Sequence, residues 1–213
     1  MTTKHRFYID KFLNSQKKYM QGAILDIGGK KDNKRGNFAP PYNLVKSWKF
    51  LNNDKSTNPD YYSNAEIIPL GDLTVDGFLM CELLEHLENP EKVLSEAHRV
   101  LKKGGKGWIT MPFLYQIHPD PKDYQRWTKY KLEQTLKSIG FSKIHIEPMG
   151  GVISIILDLW YAILERTENK KKVIYKFSKI LFKFFSIFLW PFEKKLSFYS
   201  KWMTTGWSIV VEK

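Results

Sequence analysis

Short apolar segments that alternate with helix-like segments are the feature that most limits what this chain can fold into. Seven such segments look like strands: residues 23–27, 47–52, 65–69, 77–83, 106–111, 142–148 and 207–212. Alternation of strands with helices is typical of a mostly parallel sheet that carries helices on both faces. The sequence therefore predicts an α/β fold, and if the last two segments pair as a hairpin, the last strand is antiparallel.

The helices are indicated by apolar residues at helical spacing and by their end signals. Residues 5–20 form one amphipathic pattern and residues 90–101 form another, which residues 102–105 (KKGG) would end with a cationic turn and a glycine stop. A third helix is predicted over residues 128–139, with Thr128 as its N-cap. Residues 30–43 are polar and include two adjacent prolines, so we expect a loop in place of most of the usual first crossover helix.

Composition limits the partners and the compartment. The 213 residues suit one domain, or one domain with an appendage, and the net charge of +12 favours a polyanionic partner such as nucleic acid, an anionic membrane or a phosphorylated substrate. The single cysteine, Cys81, excludes an internal disulfide and fits a reducing cytoplasm. Because residues 1–18 are polar and no uncharged apolar stretch reaches about 18 residues, we expect neither a signal peptide nor a membrane-spanning helix.

Polar motifs follow the first two predicted strands. Asp26, Gly28 and Gly29 end the first strand, and a glycine turn there is the usual ligand crevice of an open α/β sheet. Asn53 and Asp54 follow the second strand, where an acid can accept both hydroxyls of an adenosine ribose. Each motif has a plainer alternative, since a glycine pair is often just a turn and a loop acid often caps one.

A longer, spaced motif begins at the fourth predicted strand. It comprises residues 81–87 (CELLEHL), 89–94 (NPEKVL) and 99–105 (RVLKKGG). This block resembles the signature of class I S-adenosylmethionine-dependent methyltransferases, specifically the methyltransferase type 11-like group. Residues 112–128 (PFLYQIHPDPKDYQRWT) are similar to a segment of methyltransferases from bacterial surface-polysaccharide gene clusters. The resemblance covers roughly residues 20–150.

This resemblance implies a Rossmann-like fold with a seven-stranded, mostly parallel sheet and S-adenosylmethionine as the cofactor. In the family, the glycine turn holds the methionyl part, the acid after the second strand holds the ribose, a polar residue after the third strand contacts the adenine amino group, and the end of the fourth strand lies beneath the sulfonium. The matching residues here are Asp26, Gly28, Gly29, Asp54, Asn64, Cys81 and Glu82. The family's third glycine is absent, with Lys30 and Lys31 nearby, and Asn64 stands where an aspartate is usual and would accept a weaker hydrogen bond.

Three residues are the catalytic candidates. Methyl transfer from an activated sulfonium mainly needs aligned reactants, and a base if the acceptor is a hydroxyl. His118 is the favoured base, His86 the second candidate and Asp123 the third, although a loop histidine is more often structural. Residues 123–127 (DYQRW) could equally bind a sugar or form a loop salt bridge with buried aromatics. No Cys/His cluster has zinc-ligand spacing and no acidic cluster indicates a divalent ion, so the sequence predicts no metal site.

The C-terminal third departs from this pattern. We predict a methyltransferase domain over residues 1–149 and 206–213, interrupted by a helical, basic amphipathic insertion at residues 150–205. Residues 170–205 carry nine lysines and one acid, Glu193, so they supply +8 of the total charge of +12. A lysine stripe along an otherwise apolar helix is typical of helices that lie in a membrane interface. The residues expected at that surface are Lys172, Lys176, Lys179, Lys183, Trp190, Trp202 and Trp207. A helix packed on the sheet, a partner-binding surface or a dimer interface would use the same pattern.

The sequence thus predicts a cytoplasmic S-adenosylmethionine-dependent methyltransferase, peripheral on the inner face of the membrane. Its expected reaction is O-methylation of a sugar hydroxyl in a glycan or lipid-linked saccharide. The alternative is a non-catalytic scaffold with the methyltransferase fold. A nicotinamide-dependent oxidoreductase is disfavoured because the full GxGxxG pattern is missing. Nucleic acid is disfavoured because residues 170–205 place their aromatics on an apolar face and contain no arginine.

Overall fold

One seven-stranded sheet forms the centre of the computed structural model, which describes residues 3–31, 36–119, 121–167 and 173–213. The strands are β1 (Gly22–Ile27), β2 (Val45–Asn52), β3 (Tyr61–Tyr62), β4 (Val75–Cys81), β5 (Leu101–Pro112), β6 (Lys143–Met149) and β7 (Gly206–Glu212). They lie in the order β3-β2-β1-β4-β5-β7-β6, and β7 is antiparallel to both of its neighbours while the other pairs are parallel. The predicted seven-stranded sheet with an antiparallel last strand is therefore confirmed.

Helices cover both faces of this sheet. They are α1 (Lys4–Gln16), α2 (Pro90–Val100), α3 (Lys129–Ile139), α4 (Val152–Arg166) and α5 (Val173–Phe188). Because side chains alternate along a strand, Ile24 of β1 packs on one face with Leu13 of α1, whereas Leu25 packs on the other face in the cluster that contains Leu94 of α2 and Leu136 of α3. As predicted, Thr128 caps α3, its side chain accepting from the Lys131 N–H. No helix occurs between β1 and β2 in the described residues 28–31 and 36–44, which agrees with the predicted loop.

The predicted third strand, residues 65–69, is wrong. The strand that pairs with β2 is Tyr61–Tyr62, through Leu51 and Tyr61. The apolar signal came from residues that enter the core from a turn, such as Ile68. Its N–H donates to Glu96 (2.9 Å) and its carbonyl accepts from Arg99 (3.1 Å), so helix side chains satisfy the backbone groups that a strand would pair.

The predicted end of the second main helix is also wrong. Helix α2 ends at Val100, and residues 102–105 belong to β5 instead of forming a cationic last turn and a stop. The backbone N–H of Gly104 donates to the carbonyl of Lys213 (2.9 Å), and the Lys213 N–H donates to Gly105 (3.1 Å). Lys213 therefore supplies backbone hydrogen bonds to this polar segment, in which Gly104 has a φ of +74°.

Residues 150–205 lie between β6 and β7 and contain α4, α5 and a 3-10 helix at Trp190–Lys201. Two buried acids hold this segment, Asp158 by attaching it to α1 and Glu193 by linking two parts of the segment itself. Asp158 of α4 accepts from the N–H groups of Lys4 (2.6 Å) and His5 (2.7 Å) at the start of α1, and Glu193 accepts from the N–H of Ile153 (3.1 Å) at the start of α4. Carboxylates at helix N-termini satisfy orphan N–H groups and oppose the helix dipole.

The structure tests the expectations for the C-terminal third only in part. Lysines 170–172 lie outside the described residues, so the predicted stripe is described only from Lys176 onward. Among the described residues, no helix is both long enough and apolar enough to cross a membrane. The division into a domain and an insertion stays a prediction.

The tight packing around one glycine of the sheet can be tested by substitution. A Cβ on Gly107 of β5 would lie 2.2 Å from the ring of Phe78, whereas a Cβ on Gly71 would have its nearest neighbour at 3.7 Å. Overpacking a filled core costs about 1–3 kcal/mol. We therefore expect Gly107→Ala to lower the free energy of unfolding in urea by about this amount. Gly71→Ala is the matched control, expected to change it by less than about 0.5 kcal/mol, and equal effects would contradict the packing described here.

Candidate functional site

A cavity of about 680 Å³ opens at the carboxyl ends of β1, β2 and β4. Because these neighbouring strands are parallel, the loops that follow them meet at one edge of the sheet. Nine of the ten residues proposed from the sequence line this cavity: Asp26, Gly28, Gly29, Asp54, Asn64, Cys81, Glu82, His86 and His118. The structure thus brings the separate motifs together, whereas Asp123 is not among the lining residues.

The glycine turn after β1 is held by backbone and side-chain hydrogen bonds. Gly28 has a φ of +80°, and its N–H donates to the carbonyl of Leu51 (2.8 Å). The side-chain amide of Asn52 donates to the carbonyls of Gly28 and Gly29, both at 3.1 Å. A Cβ on Gly29 would lie 2.3 Å from the carboxyl carbon of Asp26, so this position requires glycine. The sequence analysis missed Asn52, although it directly precedes the Asn53 and Asp54 pair.

Three residues predicted to contact the cofactor also accept hydrogen bonds from neighbouring residues of the protein. Asp26 is buried and accepts from the indole N–H of Trp48 (3.2 Å). Asp54 accepts from the N–H of Ser56 (2.9 Å), and this hydrogen bonding lowers the pKa of the exposed Asp54 carboxyl. Asn64 accepts from the N–H of Glu66 (3.0 Å) through its side-chain oxygen. Asp54 and Asn64 therefore each cap a turn, which was the plainer alternative for the acid at position 54. Their contacts with adenosine stay predictions.

Helix α1 contributes cavity residues that the sequence analysis missed. His5, Arg6 and Asp10 all line the cavity. Asp10 accepts from the N–H groups of Asn37 (2.8 Å) and Phe38 (3.3 Å), so α1 also positions the loop after β1. Arg6 and Asp10 are four residues apart and hence share one helix face, but that spacing alone does not show that this face meets the cavity.

The end of β4 forms a buried, charged wall of the cavity. Burial raises the pKa of Cys81 to about 12, so its thiol is neutral. Glu82 has a φ of +52°, an uncommon conformation for a residue with a side chain, and it accepts from His5 Nε2 (2.6 Å). Although burial acts to raise it, the pKa of Glu82 lies below its ordinary value because His5 and Arg6 are close. This wall of the cavity therefore carries an ionised carboxylate that is paired with His5.

The two candidate bases lie against a third residue that sequence reasoning did not single out. His86 and His118 form an edge-to-face pair with ring centroids 5.2 Å apart. Each has its Nε2 3.6 Å from an oxygen of Glu85, whose side chain is 0% exposed. Although burial acts to lower it, the pKa of His118 is raised by Glu85 and by the Gln116 carbonyl. Glu85 was in the quoted motif (CELLEHL), but only the fold shows that it faces both imidazoles.

Asp123 acts on the site through its neighbours. Its carboxylate pairs with Arg126 (2.7 Å between Nη2 and Oδ2) and accepts from the backbone N–H of His118 (3.0 Å). Although burial acts to raise it, Arg126 brings the pKa of Asp123 down to about 2. Trp127 is buried, so residues 123–127 match the alternative of a loop salt bridge with a buried aromatic. A direct catalytic role for Asp123 has no support in this geometry and stays a prediction.

Comparison with protein families finds similarity over part of the chain. A family model for a methyltransferase domain matches residues 43–109, from the start of β2 into β5. An uncharacterized protein of Methanocaldococcus jannaschii is 33% identical to a part that covers 38% of this chain. The match spans 45% of that protein, so this chain corresponds to about half the length of the curated relative.

Comparison with solved structures identifies the fold. An S-adenosylmethionine-dependent methyltransferase from Archaeoglobus fulgidus superimposes with a TM-score of 0.59 at 15% identity, over 98% of this chain and 94% of that one. Phosphoethanolamine N-methyltransferase 2 of Haemonchus contortus, solved with S-adenosylhomocysteine, gives 0.58 at 18% identity, over 96% and 52% of the two chains. The [4+2]-cyclase SpnF gives 0.60 at 16% identity, over 96% and 81%.

The domain match and the shared fold bear out the class predicted from the sequence. The resemblance of residues 112–128 to methyltransferases of polysaccharide gene clusters is not tested by these comparisons and stays a prediction. Residues 43–109 thus resemble a methyltransferase domain, and the chain has the fold seen in S-adenosylmethionine-dependent methyltransferases.

Proposed function

We propose that this protein transfers a methyl group from S-adenosylmethionine to a sugar hydroxyl, on a glycan or a lipid-linked saccharide. The proposal that S-adenosylmethionine is the cofactor rests on one observation: the loops after β1, β2 and β4 all open into the same cavity. Its volume of about 680 Å³ lies within the usual range of cofactor and small-molecule sites. The family resemblance of the residues at those strand ends supplies the cofactor.

The lining residues offer a suitable partner for each part of the cofactor. The glycine turn would take the methionyl group, with the guanidinium of Arg6 as a charge partner for its carboxylate. Asp54 would accept the ribose hydroxyls, and Asn64 the adenine amino group. The anionic Glu82 would lie on the side of the positively charged sulfonium, where a fixed carboxylate favours binding of a cation.

The chemistry requires little of the protein beyond positioning. A lone pair of the acceptor oxygen attacks the methyl carbon, the bond from that carbon to sulfur breaks, and S-adenosylhomocysteine leaves. The proton of the acceptor hydroxyl passes to a base, for which His118 is the first candidate and His86 the second. The Nδ1 of His118 lies 3.1 Å from the Gln116 carbonyl, so an Nδ1–H would donate there and leave Nε2 as the basic nitrogen.

A sugar acceptor is supported by the wall around His118 and by residues 112–128. Tyr115 packs edge-on against His118, with centroids 5.4 Å apart, and Tyr161 also lines the cavity, so aromatic faces lie beside the candidate base. Aromatic rings and hydroxyls suit the apolar faces and polar edges of a sugar ring. The alternative is a non-catalytic scaffold, since a shared fold does not fix activity and the cyclase SpnF has this fold too.

We further propose that α5 binds an anionic membrane surface. Its exposed apolar side chains recur at spacings of three and four residues and form one stripe: Val173, Phe177, Ile180, Phe184, Ile187 and Phe188. The exposed lysines Lys176, Lys179 and Lys183 run beside this stripe, and the buried Phe182 faces the protein. An apolar stripe flanked by lysines suits a helix that lies in the interface plane.

The tryptophans expected at the headgroup level do not all lie on this surface. Trp202 is 71% exposed. Trp207 is only 4% exposed, because it belongs to β7, which lies between β5 and β6, and its indole donates to the carbonyl of Trp127 (3.0 Å). Trp190 is half-buried against Phe7 and Lys4. The expectation is therefore wrong for Trp207.

Cofactor binding is testable by isothermal titration with S-adenosylmethionine. We expect one site per chain with a dissociation constant between about 1 μM and 1 mM, the range typical of enzyme substrates. Gly29→Ala should weaken binding by about tenfold or more, because a Cβ 2.3 Å from the Asp26 carboxyl would displace the turn or the acid. Gly71→Ala should bind like the wild type, and no heat of binding at millimolar ligand would refute the proposal.

The acceptor is testable with cofactor that carries a radioactive methyl group. The protein would be incubated separately with solvent-extracted lipid-linked saccharides, with total protein and with total RNA. We expect label in the saccharide fraction that resists mild alkali, since an ether survives conditions that cleave a methyl ester. His118→Gln should lower incorporation by about 100-fold, the typical contribution of a general base. Label confined to protein or RNA would contradict the sugar assignment.

Membrane binding is testable by flotation with phosphatidylglycerol vesicles. Each lysine near an anionic surface contributes about 1 kcal/mol, so reversing Lys176, Lys179 and Lys183 to Glu should lower the fraction bound by about 100-fold or more. The matched control reverses Lys46, Lys103 and Lys129, three exposed lysines elsewhere, and so has the same net charge. Equal losses in the two triple variants would show a mere net-charge effect and contradict a site on α5.

A further inference from the structure

We propose that Glu85, His86 and His118 bind a divalent transition-metal ion at the wall of the cavity. One carboxylate oxygen and two imidazole nitrogens, one from each residue, all lie within 4.8 Å of one another. Two histidines and one carboxylate form a ligand set that suits zinc, iron, manganese or cobalt. The sequence predicted no metal site, because His118 is 32 residues beyond His86 and no local ligand spacing exists.

The distances fit a shared metal ion better than they fit direct hydrogen bonds. His86 Nε2 and His118 Nε2 are each 3.6 Å from Glu85 Oε1, which is beyond hydrogen-bond distance. Two ligands about 2.1 Å from a tetrahedral metal ion are separated by about 3.4 Å. The two separations from Glu85 Oε1 are therefore close to the value for a shared ion, and all three ligand atoms lie within 4.8 Å of one another.

The outer nitrogens of both imidazoles are already held by backbone carbonyls. His86 Nδ1 lies 2.6 Å from the carbonyl of Lys122, and His118 Nδ1 lies 3.1 Å from the carbonyl of Gln116. Each carbonyl can only accept, so the Nδ1 atoms carry hydrogen, and in the neutral form of each imidazole the Nε2 atom that faces Glu85 keeps its lone pair. Metal-binding histidines characteristically have this arrangement, because the second hydrogen bond fixes the tautomer and the ring.

Glu85 supplies the independent sign that a cation belongs here. Its side chain is 0% exposed, and neither of its carboxylate oxygens has a hydrogen-bond partner among the residues that the structure describes. Buried polar atoms are almost always satisfied, and an uncompensated buried carboxylate costs several kcal/mol. Arg126, the guanidinium closest in the chain to His118, forms its ion pair with Asp123, and although its charge acts on Glu85 it donates no hydrogen bond to that carboxylate. A metal ion would satisfy the carboxylate and both Nε2 lone pairs at once.

The arrangement resembles a catalytic metal site more than a structural one. His86 and His118 line the cavity while Glu85 lies behind them, so a bound ion would have coordination positions open toward the cavity. This role rests on the proposed methyl transfer. The ion would bind the acceptor hydroxyl and lower its pKa, the proton would leave to water, and the bound alkoxide would attack the methyl carbon as the carbon–sulfur bond breaks. His118 would then act as a metal ligand, and no protein base would be needed.

The site is testable by metal content, without reference to activity. Tag-free full-length protein would be stripped with a chelator, equilibrated with Zn²⁺, dialysed and analysed by mass spectrometry, and Co²⁺ would be titrated while its visible absorption is recorded. We expect one equivalent of Zn²⁺ and the visible bands of coordinated Co²⁺. Loss of an outer-shell partner typically weakens metal binding 10–100-fold, so His118→Gln and Glu85→Gln, which remove direct ligands, should weaken it by about 100-fold or more.

His145→Gln is the matched control, because His145 has a side chain 71% exposed on β6 and is not one of the three proposed ligands. It should retain one equivalent of metal. The proposal is overturned if the wild type retains no metal, or if the ligand variants retain as much as His145→Gln does. Circular dichroism and titration with S-adenosylmethionine on the same samples separate the possibilities. Cofactor binding without metal refutes only the metal site, and metal without cofactor binding refutes only the methyl-transfer proposal.

Discussion

The parallel pairing of β2, β1 and β4 is the constraint on which the rest of the molecule depends. β1 lies between the other two, with Leu25 opposite both Lys49 and Phe78. The carboxyl ends of these three strands therefore meet at one edge of the sheet. No single motif there would make a ligand site: the glycine turn lacks the family's third glycine, and Asn64 is a weaker acceptor than a carboxylate. Their convergence around one cavity gives these separate weak signals a common meaning.

The sequence predicts well what depends on local pattern and poorly what depends on distant partners. Buried strands are continuous apolar runs, so β1 and β4 to β7 could be located to within a few residues, apart from the start of β5. The third strand was misplaced because Ile68 has the burial of a strand residue while Glu96 and Arg99 of α2 satisfy its backbone. Nothing near residues 65–69 reveals that helix side chains will replace a neighbouring strand.

The residues of the candidate site were predictable only where they follow from local sequence pattern. Its strand-end residues could be read from the order of strands, but those of α1 could not, because Asp158 fixes the start of that helix from 153 and 154 residues away. This contact places His5 against Glu82, and Thr205, just before β7, holds the other imidazole nitrogen at 3.0 Å. The segment between β6 and β7 therefore does more than cover the sheet, since it positions a residue that pairs with the cavity wall.

The two glutamates of the motif after β4 show how one short segment can serve two cations. A buried carboxylate is costly unless it is paired. Glu82 is paired by His5 from α1, whereas the Glu85 carboxylate faces two imidazoles and accepts no hydrogen bond within the described part of the chain. In the proposed reaction the first would lie beside the cationic sulfonium and the second beside a metal ion that activates the acceptor. Because the 3-10 turn Leu84–His86 follows Glu82 almost directly, its geometry would set the separation between methyl donor and acceptor oxygen, on which in-line transfer depends.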